Sequence, residues 1–224
     1  MRILALLPLI LAACVPAAPP GERSVLAIGD SVMAWNGRAG IPEAVAATLD
    51  RPVVDGAQSG AHLTHPRAAA RALGFDITQQ FEGGGWDWVI LTGGGNDLRG
   101  QCKTPAEAGI LAGLIDADLT GDIPTLIARI RATGAKVGFV GYYDGADAEP
   151  TGFSPCQGAF DTINARMTRL AARDRGLLFF DAGDVIETAD TGLYDRDLIH
   201  PSRRGSAVIG TALAQAMLRF EQGS

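Results

Sequence analysis

The sequence has few positive charges and no cluster of basic residues. Its 19 lysine and arginine residues are outnumbered by 25 aspartate and glutamate residues, so the formal net charge is −6 at pH 7. Proteins that bind the phosphate backbone of nucleic acids present a concentrated basic surface, and no segment of this sequence would form one. We therefore expect no nucleic acid partner.

Motifs for cofactors and metal ions are also missing. The turn after the first strand-like segment has a single glycine, Gly29, where a dinucleotide-binding protein has G-x-G-x-x-G. The segment Gly95–Gly100 is similar to a phosphate-binding loop, but Gln101 stands where that loop needs lysine. The three histidines form no H-E-x-x-H pattern and have no cysteine partner nearby. We expect neither a cofactor nor a metal ion.

The apolar run at the N-terminus is too short to cross a membrane. It extends over Ile3–Leu11, is interrupted by Pro8, and falls well below the ~20 residues that a spanning helix needs. Arg2 precedes the run and Ala12-Ala13-Cys14 follows it, which is the order of a basic region, an apolar region and a cleavage site in a secretory signal. Residues 1–13 are therefore predicted to be a signal peptide.

The end of this segment, Leu11-Ala12-Ala13-Cys14, resembles the bacterial lipobox, in which the cysteine is lipidated and becomes the first mature residue. We predict lipidation of Cys14, and an ordinary signal peptide is the alternative. Residues 14–22 are rich in proline, which favours an extended tether. Residues 23–224 are expected to form a single domain. We expect this domain to be anchored by lipid to a membrane of the bacterial cell envelope, or else to be secreted.

Short apolar segments alternate with segments of helical periodicity along the rest of the sequence. The predicted strands are Ser24–Gly29, Arg51–Val54, Trp86–Thr92, Lys136–Tyr142 and Leu177–Asp181. The predicted helices are Ile41–Leu49, Ile123–Thr133, Ala159–Asp174 and Ser202–Phe220. Nearly continuous apolar strands are typical of parallel sheets covered on both faces. The pattern predicts a three-layer α/β/α sandwich around a parallel five-stranded sheet, with functional residues beyond the carboxyl ends of the strands.

His200 is the best candidate for a general base. Catalysis by a serine nucleophile needs a base that accepts its proton and an acid that orients the base. Asp197 lies three residues before His200 and Pro201 follows it, so a tight turn could place the carboxylate against the imidazole. His62 and His65 have no acid close in sequence, and we expect them to be solvated loop histidines.

Four short blocks resemble those of the SGNH/GDSL hydrolases and follow the order of that family. They are Gly29–Val32, Asp55–Gly60, Gly94–Asp97 and Asp197–His200. The resemblance extends from Val25 to Ile209 and agrees with the strands predicted above. It implies the flavodoxin-like fold of that family, in a member of the bacterial lipoprotein type.

The resemblance also implies roles for particular residues. Ser31 would be the nucleophile, His200 the general base, and Asp197 the acid that orients His200. The oxyanion hole would consist of the backbone N–H groups of Ser31 and Gly60 and the side-chain amide of Asn96. Three preorganised donors of this kind stabilise the negative oxygen of a tetrahedral intermediate.

The sequence departs from the family pattern at two positions. Asp55 stands where many relatives have asparagine, and Val32 stands where many have leucine. Neither residue is expected to touch a reacting atom. Asp30 and Asp97, within the blocks, are expected to hydrogen-bond their own turns, as aspartate does at many junctions between a strand and a helix.

Cys102 and Cys156 remain once Cys14 is assigned to lipid. In an oxidising envelope compartment, two such cysteines are a candidate disulfide. Both lie in predicted loops at the carboxyl edge of neighbouring strands. We predict that they are bonded, and two unlinked buried thiols are the alternative.

Together these features predict a secreted or envelope serine hydrolase that cleaves a small carboxylic ester through an acyl-enzyme on Ser31. An acyltransferase or a carbohydrate O-deacetylase would use the same Ser31 and His200, so both stay open from the sequence. A non-catalytic envelope binding lipoprotein is the alternative of another class. It would be expected to have a broken triad, whereas every matched position is intact here.

Overall fold

A parallel sheet with the strand order β2-β1-β3-β4-β5 forms the centre of the protein. The structure is a computed structural model that describes residues 24–148 and 150–223; the predicted signal peptide, Cys14 and the tether lie outside these residues. The strands are β1 (Val25–Ile28), β2 (Val53–Asp55), β3 (Trp88–Leu91), β4 (Lys136–Gly141) and β5 (Leu177–Asp181). Each observed strand overlaps a predicted one, and the predicted fold class is confirmed.

Helices form a layer on each side of this sheet. They are α1 (Ser31–Ala34), α2 (Ile41–Leu49), α3 (Ala68–Ala72), α4 (Ile77–Gln80), α5 (Gly95–Leu98), α6 (Glu107–Leu114), α7 (Asp122–Arg131), α8 (Gln157–Ala171) and α9 (Arg203–Gln222). Short 3₁₀ turns occupy Gly37–Ala39, Ser154–Cys156, Ala182–Asp184 and Thr191–Leu193. The sequence predicted α2, α7, α8 and α9. The other helices have at most eight residues, too few to show a clear period.

The core lies between the sheet and the two helical layers. Every residue of the central strands β1 and β3 is buried, which explains why these segments are continuously apolar. Helices α2 and α9 pack together, while α6 packs with α7 and α8. Gly210 lets α9 approach α2 closely, because a Cβ atom there would lie 2.7 Å from the Ile41 carbonyl oxygen. None of the helices in the described part of the chain combines the length and apolar character needed to cross a membrane.

The order of the strands creates a crevice at the carboxyl edge of the sheet. β1 pairs with β2 on one side and with β3 on the other, so the connections that follow β1 and β3 diverge. In open parallel sheets, ligands bind at such a switch point, beyond the carboxyl ends of the strands. Ser31 follows β1 and Asn96 follows β3, which places both residues at this crevice.

An ion pair links the amino-terminal ends of the strands, on the side of the sheet away from the crevice, to the last helix. Arg51 donates two hydrogen bonds to the Glu221 carboxylate, at 2.7 and 2.8 Å, and the Trp88 indole N–H donates a third at 2.8 Å. The hydrogen bonds from Arg51 outweigh partial burial and lower the pKa of Glu221 from 4.5 to about 2. Glu221 therefore ties the C-terminal end of α9 to the start of β2 and to β3.

Replacing this carboxylate should destabilise the protein in a pH-dependent way. We expect Glu221→Gln to lower the free energy of unfolding by about 1–3 kcal/mol at pH 7, the usual effect of losing hydrogen bonds to a charged group. Because the folded-state pKa of Glu221 is depressed, its stabilising effect is present above pH 4.5 and is lost as the pH falls toward about 2. Urea unfolding of both proteins between pH 2 and 7 should show the difference shrinking with acid.

Asp190→Asn is the matched control for this measurement. Asp190 pairs with Arg204 on the surface, where the side chains are 40% and 60% exposed, so its loss should cost less than about 0.5 kcal/mol. Equal losses in the two variants, or a Glu221→Gln effect that does not change with pH, would contradict the assignment.

Candidate active site

Ser31 is held at the sharp turn between β1 and α1. Gly29 has φ +140°, and a Cβ atom there would lie 2.5 Å from the Thr92 hydroxyl oxygen, so the turn requires glycine. The buried side chain of Gln80 accepts a hydrogen bond from the Gly29 N–H at 2.7 Å and donates one to the Gly29 carbonyl at 3.1 Å. This clamp fixes the strand end that presents Ser31. Gln80 lies in a short helix with no sequence signal for such a role.

The structure brings His200 to Ser31 across a long sequence separation. The His200 Nε2 atom lies 2.7 Å from the Ser31 Oγ atom, and its Nδ1 atom lies 2.5 Å from the Asp197 Oδ2 atom. The other carboxylate oxygen of Asp197 accepts the backbone N–H groups of Ile199 and His200, at 3.1 and 3.0 Å. A tight turn thus sets this carboxylate against the imidazole, as the spacing in the sequence predicts.

Asp197 is in a state suited to orienting a histidine. Partial burial opposes its ionisation, but the hydrogen bonds from the His200 ring and from the backbone outweigh burial and lower the pKa of Asp197. Asp197 is therefore ionised at neutral pH. An ionised carboxylate on Nδ1 holds the ring proton there and leaves Nε2 free to accept a proton from Ser31.

Trp35 covers one face of the His200 ring. The two rings are stacked, with centroids 3.9 Å apart and an angle of 9° between their planes. The indole N–H of Trp35 donates to the Asp195 carboxylate at 2.8 Å, and the Asp195 N–H donates to the His200 carbonyl at 2.8 Å. The stack therefore restricts the orientation of the His200 ring. No local sequence signal marks Trp35 as a site residue, because an isolated aromatic residue is more often part of the core.

Asn96 lies in α5, directly after β3, and faces the same cavity as Ser31. Its side-chain amide nitrogen donates to the Ala61 carbonyl at 2.9 Å, which uses one of its two protons. The second proton is available to a ligand. The side chain of the next residue, Asp97, accepts the Leu63 N–H at 2.9 Å and so bonds to the loop after β2.

Gly60 lies in this loop after β2, one residue before Ala61. Its φ of +84° favours glycine, and it is not among the residues that line the cavity next to Ser31. The hydrogen bonds of Asn96 and Asp97 attach its loop to α5. An oxyanion role for the Gly60 N–H remains a prediction.

The cavity next to Ser31 occupies about 520 Å³, including its open mouth. Its polar lining includes Ser31, Asn96, Asp144 and His200, and its apolar side is mostly aromatic. The apolar side consists of Val32, Tyr142, Tyr143, Phe153, Phe160 and Ile199. Ligand sites commonly combine an apolar wall with a few polar groups that set the orientation of the ligand. The position of Tyr142 and Tyr143 just after β4 is the signal that could have placed them here.

The disulfide borders this cavity. The structure joins Cys102 to Cys156, the pair named in the sequence analysis, with Cα atoms 5.1 Å apart. Cys156 directly precedes Gln157, which lines the cavity together with Phe153. The bond therefore connects the segment after α5 to the wall of the cavity.

His62 and His65 lie apart from the His200–Ser31 pair. The His62 Nδ1 atom is 3.8 Å from an oxygen of Asp97, and the His62 and His65 rings meet edge-on with centroids 5.2 Å apart. Among residues 24–148 and 150–223, no group of three or more His, Cys, Asp or Glu side chains is arranged to hold a metal ion.

A serine, a histidine and an aspartate in hydrogen-bond contact at the carboxyl edge of a parallel sheet are the arrangement of serine hydrolases. The chain belongs to the GDSL-like lipase/acylhydrolase family, whose model matches residues 27–208, and this is the SGNH/GDSL hydrolase family of the sequence blocks. No curated protein sequence matches the chain.

Solved structures with the same fold include several esterases and lipases. A carbohydrate esterase family 2 enzyme with a carbohydrate-binding domain from Corynascus thermopiles (Myceliophthora fergusii) is 18% identical, with a TM-score of 0.62 over 93% of this chain and 69% of that one. A lipase from a goat rumen metagenome is 17% identical, with a TM-score of 0.57 over 88% and 96%. The psychrotrophic esterase EstA from Pseudoalteromonas sp. is 18% identical, with a TM-score of 0.56 over 90% and 100%.

The geometry predicts that Ser31 reacts with an organophosphonate probe. A serine hydroxyl with a histidine on Oγ is activated as a nucleophile, whereas an ordinary surface serine is not. Intact-protein and peptide mass spectrometry should place one adduct on Ser31, and Ser31→Ala should take up none. Equal labelling of the two proteins would exclude Ser31 as the reactive residue.

Proposed function

We propose that this hydrolase-family protein cleaves carboxylic esters through an acyl-enzyme on Ser31. The observation that supports this most strongly is the continuous chain from the Ser31 Oγ atom through the His200 ring to Asp197, with contacts of 2.7 and 2.5 Å. Such a chain removes the hydroxyl proton while the oxygen attacks a carbonyl carbon.

In the proposed reaction, the Ser31 Oγ atom forms a bond to the ester carbonyl carbon and its proton passes to the His200 Nε2 atom. The carbonyl oxygen becomes negative and is held by the N–H groups of Ser31 and Gly60 and by the Asn96 amide. The bond from carbon to the alcohol oxygen then breaks, and His200 returns the proton to the departing alcohol. A water molecule then attacks the carbonyl carbon of the acyl-enzyme while His200 accepts its proton. The bond from carbon to the Ser31 Oγ atom breaks, His200 returns the proton to Ser31, and the acid is released.

The cavity supports an ester with a small apolar group. Much of its wall is aromatic and apolar, while Ser31, Asn96 and His200 lie together on its polar side, which also includes the exposed carboxyl group of Asp144. Two of the similar structures are those of a lipase and an esterase, which is consistent with an ester substrate. The carbohydrate esterase among them keeps an O-deacetylase as the second candidate.

A panel of p-nitrophenyl esters tests this function. We expect measurable kcat/KM on acetate, butyrate or octanoate, and a loss of about 10³-fold or more in Ser31→Ala with the fold retained. Acetylated sugars preferred over these esters would indicate the O-deacetylase, and product transferred to an added alcohol would indicate the acyltransferase. Full activity in Ser31→Ala would overturn the mechanism. No turnover and no phosphonate adduct would favour a non-catalytic lipoprotein.

The proposal includes a place for the enzyme at the bacterial cell envelope, attached through lipid on Cys14. Its support is the lipobox-like segment Leu11–Cys14 and the proline-rich tether that follows. A lipid on Cys14 would hold the hydrolase near a membrane, and the extended tether would set how far the domain can lie from the membrane surface.

Cys14→Ser should release the protein from membranes. In a bacterial host that processes lipoproteins, the unchanged chain should be found in the membrane fraction and should incorporate labelled fatty acid, whereas the variant should do neither. Cys102→Ser, which keeps Cys14, is the control for cysteine loss and should stay with the membrane. Membrane retention of the Cys14→Ser protein would point to another anchor.

A further inference from the structure

The carboxylate of Asp30 lies buried beneath the nucleophile and is satisfied by hydrogen bonds. Only 2% of Asp30 is exposed, so its carboxylate depends on protein donors. One oxygen accepts the Val32 N–H and the Thr92 hydroxyl, both at 3.0 Å, and the other accepts the Tyr142 hydroxyl. The Tyr142 oxygen in turn accepts the Gly95 N–H at 2.8 Å. The result is a continuous network from β1 through β4 to α5.

This network connects the two groups that would act on the substrate carbonyl. Asp30 immediately precedes Ser31, and Gly95 immediately precedes Asn96. Tyr142 follows β4 and bonds to both Asp30 and Gly95. The hydroxyl of Tyr142 is therefore hydrogen-bonded to the residue that precedes the proposed nucleophile and to the residue that precedes the proposed oxyanion donor.

The ring of Tyr142 has little freedom to move. Phe160 stacks on it with centroids 4.6 Å apart, and a Cβ atom at Gly95 would lie 2.9 Å from the Tyr142 oxygen. Burial and the neighbouring Asp30 raise the pKa of Tyr142 well above its usual value. The hydroxyl therefore stays protonated at neutral pH and donates to Asp30 while it accepts from Gly95.

We propose that Tyr142 is a positioning residue that sets the distance between the Ser31 Oγ atom and the Asn96 amide. The inference rests on the proposed function, in which both groups meet one carbonyl. Because the oxyanion donor matters most when negative charge develops, an error in this spacing should act on the transition state more than on substrate binding. Misplacement by about 1 Å can cost 10²-fold in rate.

Tyr142→Phe tests this role, because it keeps the ring and its stack on Phe160 and removes only the hydroxyl. We expect kcat on the best p-nitrophenyl ester to fall by about 10- to 100-fold, with KM changed by less than about twofold. The matched control is Tyr194→Phe, which removes a hydroxyl bonded to the Asp144 carbonyl at 2.8 Å, outside the Ser31–Asn96 network. Tyr194→Phe should lower the free energy of unfolding about as much as Tyr142→Phe does, but it should leave kcat unchanged.

Asp30→Asn provides a second, independent variant. Its amide oxygen can still accept from Val32 and Thr92, but its amide nitrogen is a donor and no longer accepts the Tyr142 hydroxyl. We expect a fall in kcat of similar size. Because Asp30 and Tyr142 act as one unit, the double variant should lose about as much as the more damaged single variant. If Tyr142→Phe does not fold, the kcat and KM of Asp30→Asn decide the question.

The outcomes separate this inference from the proposed function. Wild-type ester hydrolysis that Ser31→Ala abolishes, together with unchanged kcat in Tyr142→Phe, would overturn the role of Tyr142 and leave the acyl-enzyme mechanism standing. Equal falls in kcat for Tyr142→Phe and Tyr194→Phe, or losses that add in the Asp30–Tyr142 double variant, would also contradict it. No wild-type hydrolysis and no phosphonate adduct would reject the proposed function itself, and the inference with it.

Discussion

A carboxylate that water cannot reach must be satisfied by donors from the protein, and the site is arranged around such a group at Asp30. Burying a carboxyl group costs free energy unless hydrogen bonds replace its hydration shell, and burial raises the pKa of Asp30 although its hydrogen bonds oppose that shift. The donors come from α1, from Thr92 after β3 and from Tyr142 after β4. These donors meet only when β1, β3 and β4 are paired in their native register. The requirement that one buried carboxyl group be hydrogen-bonded therefore couples the packing of the sheet to the placement of Ser31.

The part of the site that contains His200 lies just before the last helix. His200 precedes α9 and lies 169 residues after Ser31 in the chain, yet its ring contacts the Ser31 hydroxyl. Asp197 and the stacked Trp35 fix the orientation of the ring, and Trp35 itself is held by Asp195. Ser31 thus lies at a rigid strand end, while His200 lies on a tight turn held by Asp197 and Trp35. Preorganisation of this kind lets a proton move with little rearrangement.

The sequence predicted those parts of the molecule whose signals are local. Continuous apolar segments identified the five strands, periodicity identified the four longer helices, and the spacing of Asp197 and His200 indicated their contact. Asp30 was expected to bond its own turn, which it does through Val32, but its bonds to Thr92 and Tyr142 were not predicted. Those contacts join strand ends that are far apart in the chain, so no local pattern reports them. Trp35 and Gln80 were missed for the same reason, and lipidation of Cys14 stays a prediction.

The most direct test of the account is a crystal structure of the protein with a phosphonate on Ser31. The adduct has a tetrahedral phosphorus whose phosphoryl oxygen carries partial negative charge, so it stands in for the intermediate of ester hydrolysis. We predict that this oxygen lies about 3 Å from the Asn96 amide nitrogen and from the backbone nitrogens of Ser31 and Gly60. An oxygen that points to solvent, away from Asn96, or a phosphonate on another residue would contradict the account.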